Sequence, residues 1–142
     1  MSDSTPPINP PVACPQPLPE AVLRGLEHFN AGDYFEAHEF LELAWRAEKG
    51  PIRELYRGIL QVGVGYYHLK RGNLPGARKM FHRARKCLAG FSATQCGIDL
   101  ARLLADVDRV EAAMQDPLRL RDQINTGLLQ PVKYALEPSE GQ

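Results

Sequence analysis

Shifted by 40 residues, the sequence falls on itself: Gly25 lands on Gly65, His28 on His68, Gly32 on Gly72, Asp33 on Asn73, Ala37 on Ala77, Leu41 on Phe81 and Ala44 on Ala84. A period of that length is one helix–turn–helix unit, so this part of the chain reads as two copies of a helical hairpin. Small residues at the crossing points let the two helices of a hairpin approach closely. A larger apolar residue four positions on, Leu41 or Phe81, plugs the gap. Two copies are fewer than the roughly three that a solenoid needs to bury a continuous core. The expectation is therefore a compact bundle with further helices packed on the hairpins.

No stretch alternates with period two and β-branched enrichment, as a half-buried strand would, and the fold class is read as all-α. The first helix is predicted from about Pro19 to Phe29 and stops near Gly32, whose freedom to take positive φ suits a helix end. Asp33 caps the second, Tyr34 to about Glu48, whose apolar arc is Tyr34, Ala37, Leu41, Ala44 and Trp45. Gly50-Pro51 closes it. The third, about Ile52 to Lys70, carries so few polar side chains beyond Leu55 that it is surrounded on most sides and is the central helix. A fourth runs from Pro75 to about Leu88 with Ala77, Met80, Phe81, Ala84 and Leu88 inward. The fifth, about Gly97 to Gln115, spaces Leu100, Leu103, Val107, Val110 and Met114 as a two-heptad stripe that suits either the bundle or a second subunit. A short sixth is read near Pro117 to Leu128. The whole is a bundle of five to six helices, two tetratricopeptide-like hairpins plus C-terminal helices, without the superhelical groove of longer arrays.

Residues 1–19 hold seven of the twelve prolines and one charged residue, Asp3. That composition favours an extended, mobile arm over a packed element. The domain proper is placed at residues 20–128, with an irregular tail over 129–142. The longest uncharged helical stretch, Gly58 to Leu69, has 12 residues, short of the ~18–20 of a membrane span. No basic and apolar leader is visible at the N-terminus, so a cytoplasmic protein is expected. Cys14, Cys87 and Cys96 are odd in number and form no close pair, which suits free thiols.

The formal charge is zero, yet it is unevenly laid out. Residues 20–54 carry eight acids and four bases, residues 55–98 eight bases and no acid, and residues 99–142 eight acids and five bases. The fourth helix gathers Arg78, Lys79, His82, Arg83, Arg85 and Lys86 opposite its apolar face. Arg78, Lys79, Arg83 and Lys86 form a candidate anion patch, although a solvated or internally paired helix is the simpler account. Aromatic residues do not interleave with these cations, so nucleic acid is not an expected partner.

The residues with the most chemistry stand on the second helix. At about 100° per residue His38, Glu42 and Trp45 share a narrow arc, and Leu41 and Trp45 should draw the imidazole largely inside. Arg57, Gln61 and His68 make one polar stripe on the third helix, and two such stripes on adjacent helices would meet. Burying them unpaired would cost on the order of 1–3 kcal/mol each. Three readings stay open. One is a satisfied structural network in which Glu42 accepts from Arg57 or His38. Another is a divalent-metal site with His38 and Glu42 as ligands, completed by His68 or His28. The last is acid–base chemistry by the His38–Glu42 pair. No P-loop, dinucleotide-binding glycine turn, H-E-x-x-H or G-x-S-x-G is present, and no catalytic class is supported.

His38, Glu42 and Trp45 form the pattern H-x-x-x-E-x-x-W. It is preceded by Phe29-Asn-x-Gly32-x-Tyr34-Phe35-x-Ala-His and followed by Arg57-Gly58-x-x-Gln61 and Tyr67-His68-x-x-x-Gly72-Asn73-x-x-Gly76-Ala77. With Gly97-x-Asp99-x-x-x-Leu103 further on, this order of segments resembles domain-of-unknown-function family 309 over about residues 20–112. The resemblance implies a small all-helical protein of bacteria and archaea whose His, Glu and Trp motif is associated with metal binding. The leading expectation is a small polar pocket holding one divalent metal ion or a small ligand. It would use His38, Glu42 and His68, supported by Tyr34, Trp45, Arg57 and Gln61. The alternative is a tetratricopeptide-like module for a protein partner or for homo-oligomers, with the motif purely structural.

Overall fold

The computed structural model describes residues 12–135. They form six α-helices packed together: α1 Glu20–Asn30, α2 Tyr34–Ala47, α3 Arg53–Lys70, α4 Leu74–Leu88, α5 Leu100–Ala113 and α6 Pro117–Asn125. The first four lie within one residue of the boundaries read from spacing and caps. Gly32 and Gly72 end α1 and α3 with φ of 83° and 78°, conformations that a side chain resists. At the start of α4, Asn73 accepts from the backbone of Gly76 at 2.9 Å.

The 40-residue repeat is built as a repeated contact. A Cβ at Gly25 would stand 2.6 Å from Leu41 Cγ, and a Cβ at Gly65 would collide with the Phe81 ring. In both hairpins the plug of the second helix thus occupies the space left by a glycine of the first. Gly58 repeats the device one face along, beneath Leu88, at 2.5 Å. These approaches leave α3 between α2 and α4, with Leu55, Tyr56, Ile59, Val62 and Tyr66 fully buried. Around it the rings of Phe29, Tyr34, Tyr66 and Phe81 meet edge to face, with centroids 5.4 to 5.8 Å apart. The α5 stripe packs on the body: Leu103, Val107 and Val110 are all buried, so they are not free for a second subunit.

One departure from the all-helical reading lies before α5. Thr94–Gln95 (β1) and Ile98–Asp99 (β2) pair antiparallel across a turn in which Cys96 and Gly97 both take positive φ, 54° and 77°. A tight two-residue turn demands that pair of conformations, and strands of two residues are too short to show alternation. The hairpin delays α5 and is where both ends of the described chain dock. Of the proline-rich segment, residues 1–11 lie outside the described residues. Val12, Cys14 and Leu18 pack against the core, Gln95 Nε2 donates to Val12 O at 3.0 Å, and Cys14 is joined to Cys96 by a disulfide. The expectation of free thiols therefore fails for two of the three cysteines, because the end of the arm folds back onto a segment 82 residues away. The tail is irregular but docked as far as it is described. Asn30 holds the Val132 backbone from both sides, at 3.0 and 2.7 Å, and Ala135 N donates to Gly97 O at 2.9 Å. Residues 136–142 lie outside the described residues.

Two measurements check this account. Gly65→Ala raises helix propensity but overpacks the Phe81 contact, so it is expected to destabilise the protein by about 1–3 kcal/mol in urea unfolding; a stabilised variant would show that the crossing is not tight. Opening the disulfide with Cys96→Ser releases a loop of 82 residues in the unfolded chain, for an expected loss of about 2–4 kcal/mol. Equal unfolding midpoints for the variant and the oxidised protein would show that the bridge adds nothing.

Candidate functional site

On α2 the inward face is taken by Ala37, Leu41 and Ala44, all buried, and this leaves His38 and Glu42 at its edge. Their side chains are 33% and 28% exposed, so the imidazole is only partly covered rather than drawn inside. His38 Nε2 lies 3.3 Å from Glu42 Oε1, and Arg46 Nε donates to the other carboxylate oxygen of Glu42 at 2.9 Å. His38, Glu42 and Arg46 therefore form a ladder of i,i+4 pairs closed upon their own helix.

Trp45, one turn on from Glu42, serves the turn into α3. The guanidinium groups of Arg53 and Arg57 lie 4.9 and 5.3 Å from its ring centre, and Glu54 faces both arginines at 4.0 and 3.6 Å. Its indole Nε1 is buried without a partner. The α3 stripe meets the α2 stripe at Arg57 and Trp45 alone, and neither Gln61 nor His68 reaches His38 or Glu42. Arg57 goes to Trp45, and Gln61 is buried and accepts from the Cys87 thiol of α4 at 3.3 Å. His68 Nδ1 turns to the Asn73 amide at 3.4 Å.

His68 is explained by the repeat. Its counterpart His28 sits 3.5 Å from Asp33 in the same way, and the backbone N–H groups of Asp33 and Asn73 donate to the carbonyls of His28 and His68, each at 2.8 Å. Both histidines bracket a helix end to the cap of the next helix. Among the described residues no three His, Cys, Asp or Glu side chains are grouped to hold a metal ion. His38, Glu42 and His68 therefore do not fit the three-ligand site expected of them, since His68 is committed to the α3–α4 turn. Tyr34 is also structural. It is buried in the ring cluster, which pushes its hydroxyl up to about 12, and the Lys70 ammonium lies 5.6 Å from its ring centre.

Sequence reasoning passed over the outer face of α2. Phe35 and Leu43 are 51% and 61% exposed. The Phe35 ring stands 6.1 Å from that of His38 and 6.2 Å from that of Tyr67. Phe40 is stacked on His28 at 5.3 Å, with Arg24 also over its ring, and Arg71 covers Tyr67. All five cation–π pairs among the described residues use an aromatic ring of α2 or α3. The available signal was that Phe35 and Leu43 lie outside the apolar arc of their own helix. Asp106 was missed as well: it is 1% exposed inside α5, accepts from Arg109 at 3.0 Å, and its other oxygen has no partner.

On α4, Arg78, Lys79, Arg83 and Lys86 are exposed. Arg85 leaves the cluster to bind Asp108 at 2.7 Å and also Glu111. Cys87 is the free thiol among the described cysteines; burial, and then the nearby Glu54 carboxylate, push it up to about 11. Because the thiolate forms only as pH approaches that value, alkylation of Cys87 by iodoacetamide at pH 8 should run roughly a hundred-fold slower than that of a model thiol and accelerate with pH. A rate equal to the model thiol's would contradict this environment.

No helix among the described residues is long and apolar enough to cross a membrane. In comparison with known proteins, residues 22–80 match the family model described as "Domain of unknown function (DUF309)". An uncharacterised protein of Bacillus subtilis (strain 168), YpuF, is 34% identical over 90 residues, 61% of this chain and 52% of that protein. An uncharacterised protein of Aquifex aeolicus (strain VF5) is 29% identical over 83 residues, 58% of this chain and 25% of its own. The chain thus spans about half the length of the first relative and a quarter of the second. The segment that is similar to this family takes in α1 from Val22 onward, all of α2 and α3, and the start of α4.

Proposed function

We propose that this domain is a protein-interaction module whose contact face is the outer side of α2 with the adjoining edge of α3. The observation that carries the reading is the pair of exposed apolar side chains, Phe35 and Leu43, set among surface aromatic–cation pairs. Scattered apolar residues at a surface are ordinary. Aromatic and arginine side chains gathered around two apolar anchors, however, match the composition of interface centres. The His38–Glu42–Arg46 ladder and the arginines on Trp45 hold the neighbouring side chains in place, which lowers the entropy that a partner must overcome. On this reading the H-x-x-x-E-x-x-W motif stiffens a docking face.

The partner that fits is a basic amphipathic helix. Glu36 and Glu39 are exposed beside Phe35 and Leu43, whereas Arg24 and Arg71 are engaged on the rings of Phe40 and Tyr67, which leaves the α2 anchors flanked by carboxylates that are free among the described residues. Phe35 and Leu43 are eight residues apart, about 12 Å along the helix, a reach that two apolar residues two turns apart on a facing helix would match. Charge complementarity would steer the encounter and the apolar anchors would supply affinity.

A photo-crosslinking residue at position 35, compared with one at Arg83, tests the idea in cells. Adducts to a defined protein at position 35 and not at 83 are expected. The purified partner should then bind Phe35→Asp/Leu43→Asp at least about ten-fold more weakly, a loss of ~1.4 kcal/mol. That variant should keep the parent's melting temperature because both positions are exposed. No adduct specific to position 35, or equal affinity for parent and variant, would overturn the assignment.

A further inference from the structure

Helix α6 packs mainly on α5 and stands off the other helices. Between it and the α3–α4 turn lies a cleft of about 350 Å³, within the range of about 300–1,000 Å³ typical of small-ligand sites. Leu69 and Leu74 form one wall and Leu120 and Ile124 the other. Leu69 and Leu120 are themselves buried, so this is a gap between packed surfaces rather than a dent in a polar one. Lys70 and Arg121 also line the cleft, and no acidic side chain does. Neither of these cations forms an ion pair among the described residues.

We infer that this cleft binds a small amphipathic anion, an aliphatic chain ending in a carboxylate or a phosphate. The four apolar side chains accept the chain, and the removal of its surface from water drives entry. Lys70 and Arg121, one from each wall, meet the head group, and the planar guanidinium of Arg121 suits two oxygens at once. Among the described residues Arg121 has no carboxylate partner to give up, and Lys70 is held only over the Tyr34 ring at 5.6 Å, so a head group gains both cations without breaking an ion pair. The cleft shares no lining residue with Phe35 or Leu43, and its test does not depend on the interaction reading.

Calorimetric titration of the full chain with octanoate and with octyl phosphate tests the inference, with octanol and inorganic phosphate as separate arms. Binding of at least one amphiphile at about millimolar concentration or below is expected, and the tighter of the two names the head group. Arg121→Glu and Lys70→Glu should each weaken it at least ten-fold with little change in melting temperature, since both residues are exposed. Ile124→Trp, which fills the cleft, should abolish binding while leaving the protein folded. Octanol or inorganic phosphate binding as tightly as the amphiphiles would overturn the proposal, as would no binding of either amphiphile or affinities unmoved by Arg121→Glu.

Discussion

Two close helix crossings carry this structure: Leu41 in the space above Gly25 and Phe81 in the space above Gly65. Each exists because a side chain is missing from one helix exactly where the other presents a large one, so neither glycine can gain even a methyl group without displacing its partner. Their consequence reaches beyond the two hairpins. Once both crossings close, α3 is enclosed from both sides, and Tyr34, Phe29, Tyr66 and Phe81 are brought into one ring cluster. The orientation of α2 follows, and with it the side chains that must face outward. The Phe35 and Leu43 surface is in this sense a product of the inner contact: with Ala37, Leu41 and Ala44 committed inward, Phe35 and Leu43 have nowhere else to point.

Magnitudes separate the H-x-x-x-E-x-x-W motif from the contacts that hold the fold. The i,i+4 pairs of His38, Glu42 and Arg46 are worth about 0.3–0.5 kcal/mol each at a partly exposed surface. The two arginines on Trp45 add about 0.5–1 kcal/mol apiece. Removing one buried large side chain such as Leu41 costs about 2–5 kcal/mol, more than any single piece of the motif. The H-x-x-x-E-x-x-W residues therefore order a surface more than they stabilise a core. Their role in the fold is local, joining α2 to the first turn of α3 through Trp45.

The helices and the repeat were legible because they rest on short-range rules: a glycine at a stop, a polar cap, and apolar residues at three- and four-residue spacing. The repeat even announced its own contact, since Gly25 and Gly65, and Leu41 and Phe81, fall in register. The same register held the answer for His68. Its alignment with His28 marks both as helix-end brackets, whereas its place on the α3 stripe points toward a ligand. What could not be read depends on contacts distant in sequence. Nothing local says that Cys14 meets Cys96, or that Asn30 grips the backbone of Val132, 102 residues away. The β-hairpin was hidden because its turn places Cys96 in a conformation usually left to glycine or asparagine. The outward aromatic face was hidden for another reason: an apolar residue off the main arc reads as noise until the core has taken all it needs.

The matched family segment, residues 22–80, does not coincide with the physical unit. It stops within α4, one residue before Phe81, so the plug of the second crossing and Leu88, which covers Gly58, both lie beyond it. Without them one flank of α3 would be open to water at Gly58, Gly65 and Tyr66, all buried in the intact chain. Further cover comes from α5, whose Asp106 stands close enough to the buried Tyr66 hydroxyl for its charge, after burial itself, to hold that hydroxyl protonated. The recurring segment is thus the part that displays the motif, while the helices that finish its core are supplied by sequence outside the match. The α3–α4 crossing binds the two together, and a chain that kept the motif but lost Phe81 and Leu88 would keep the pattern of the surface without the packing that presents it.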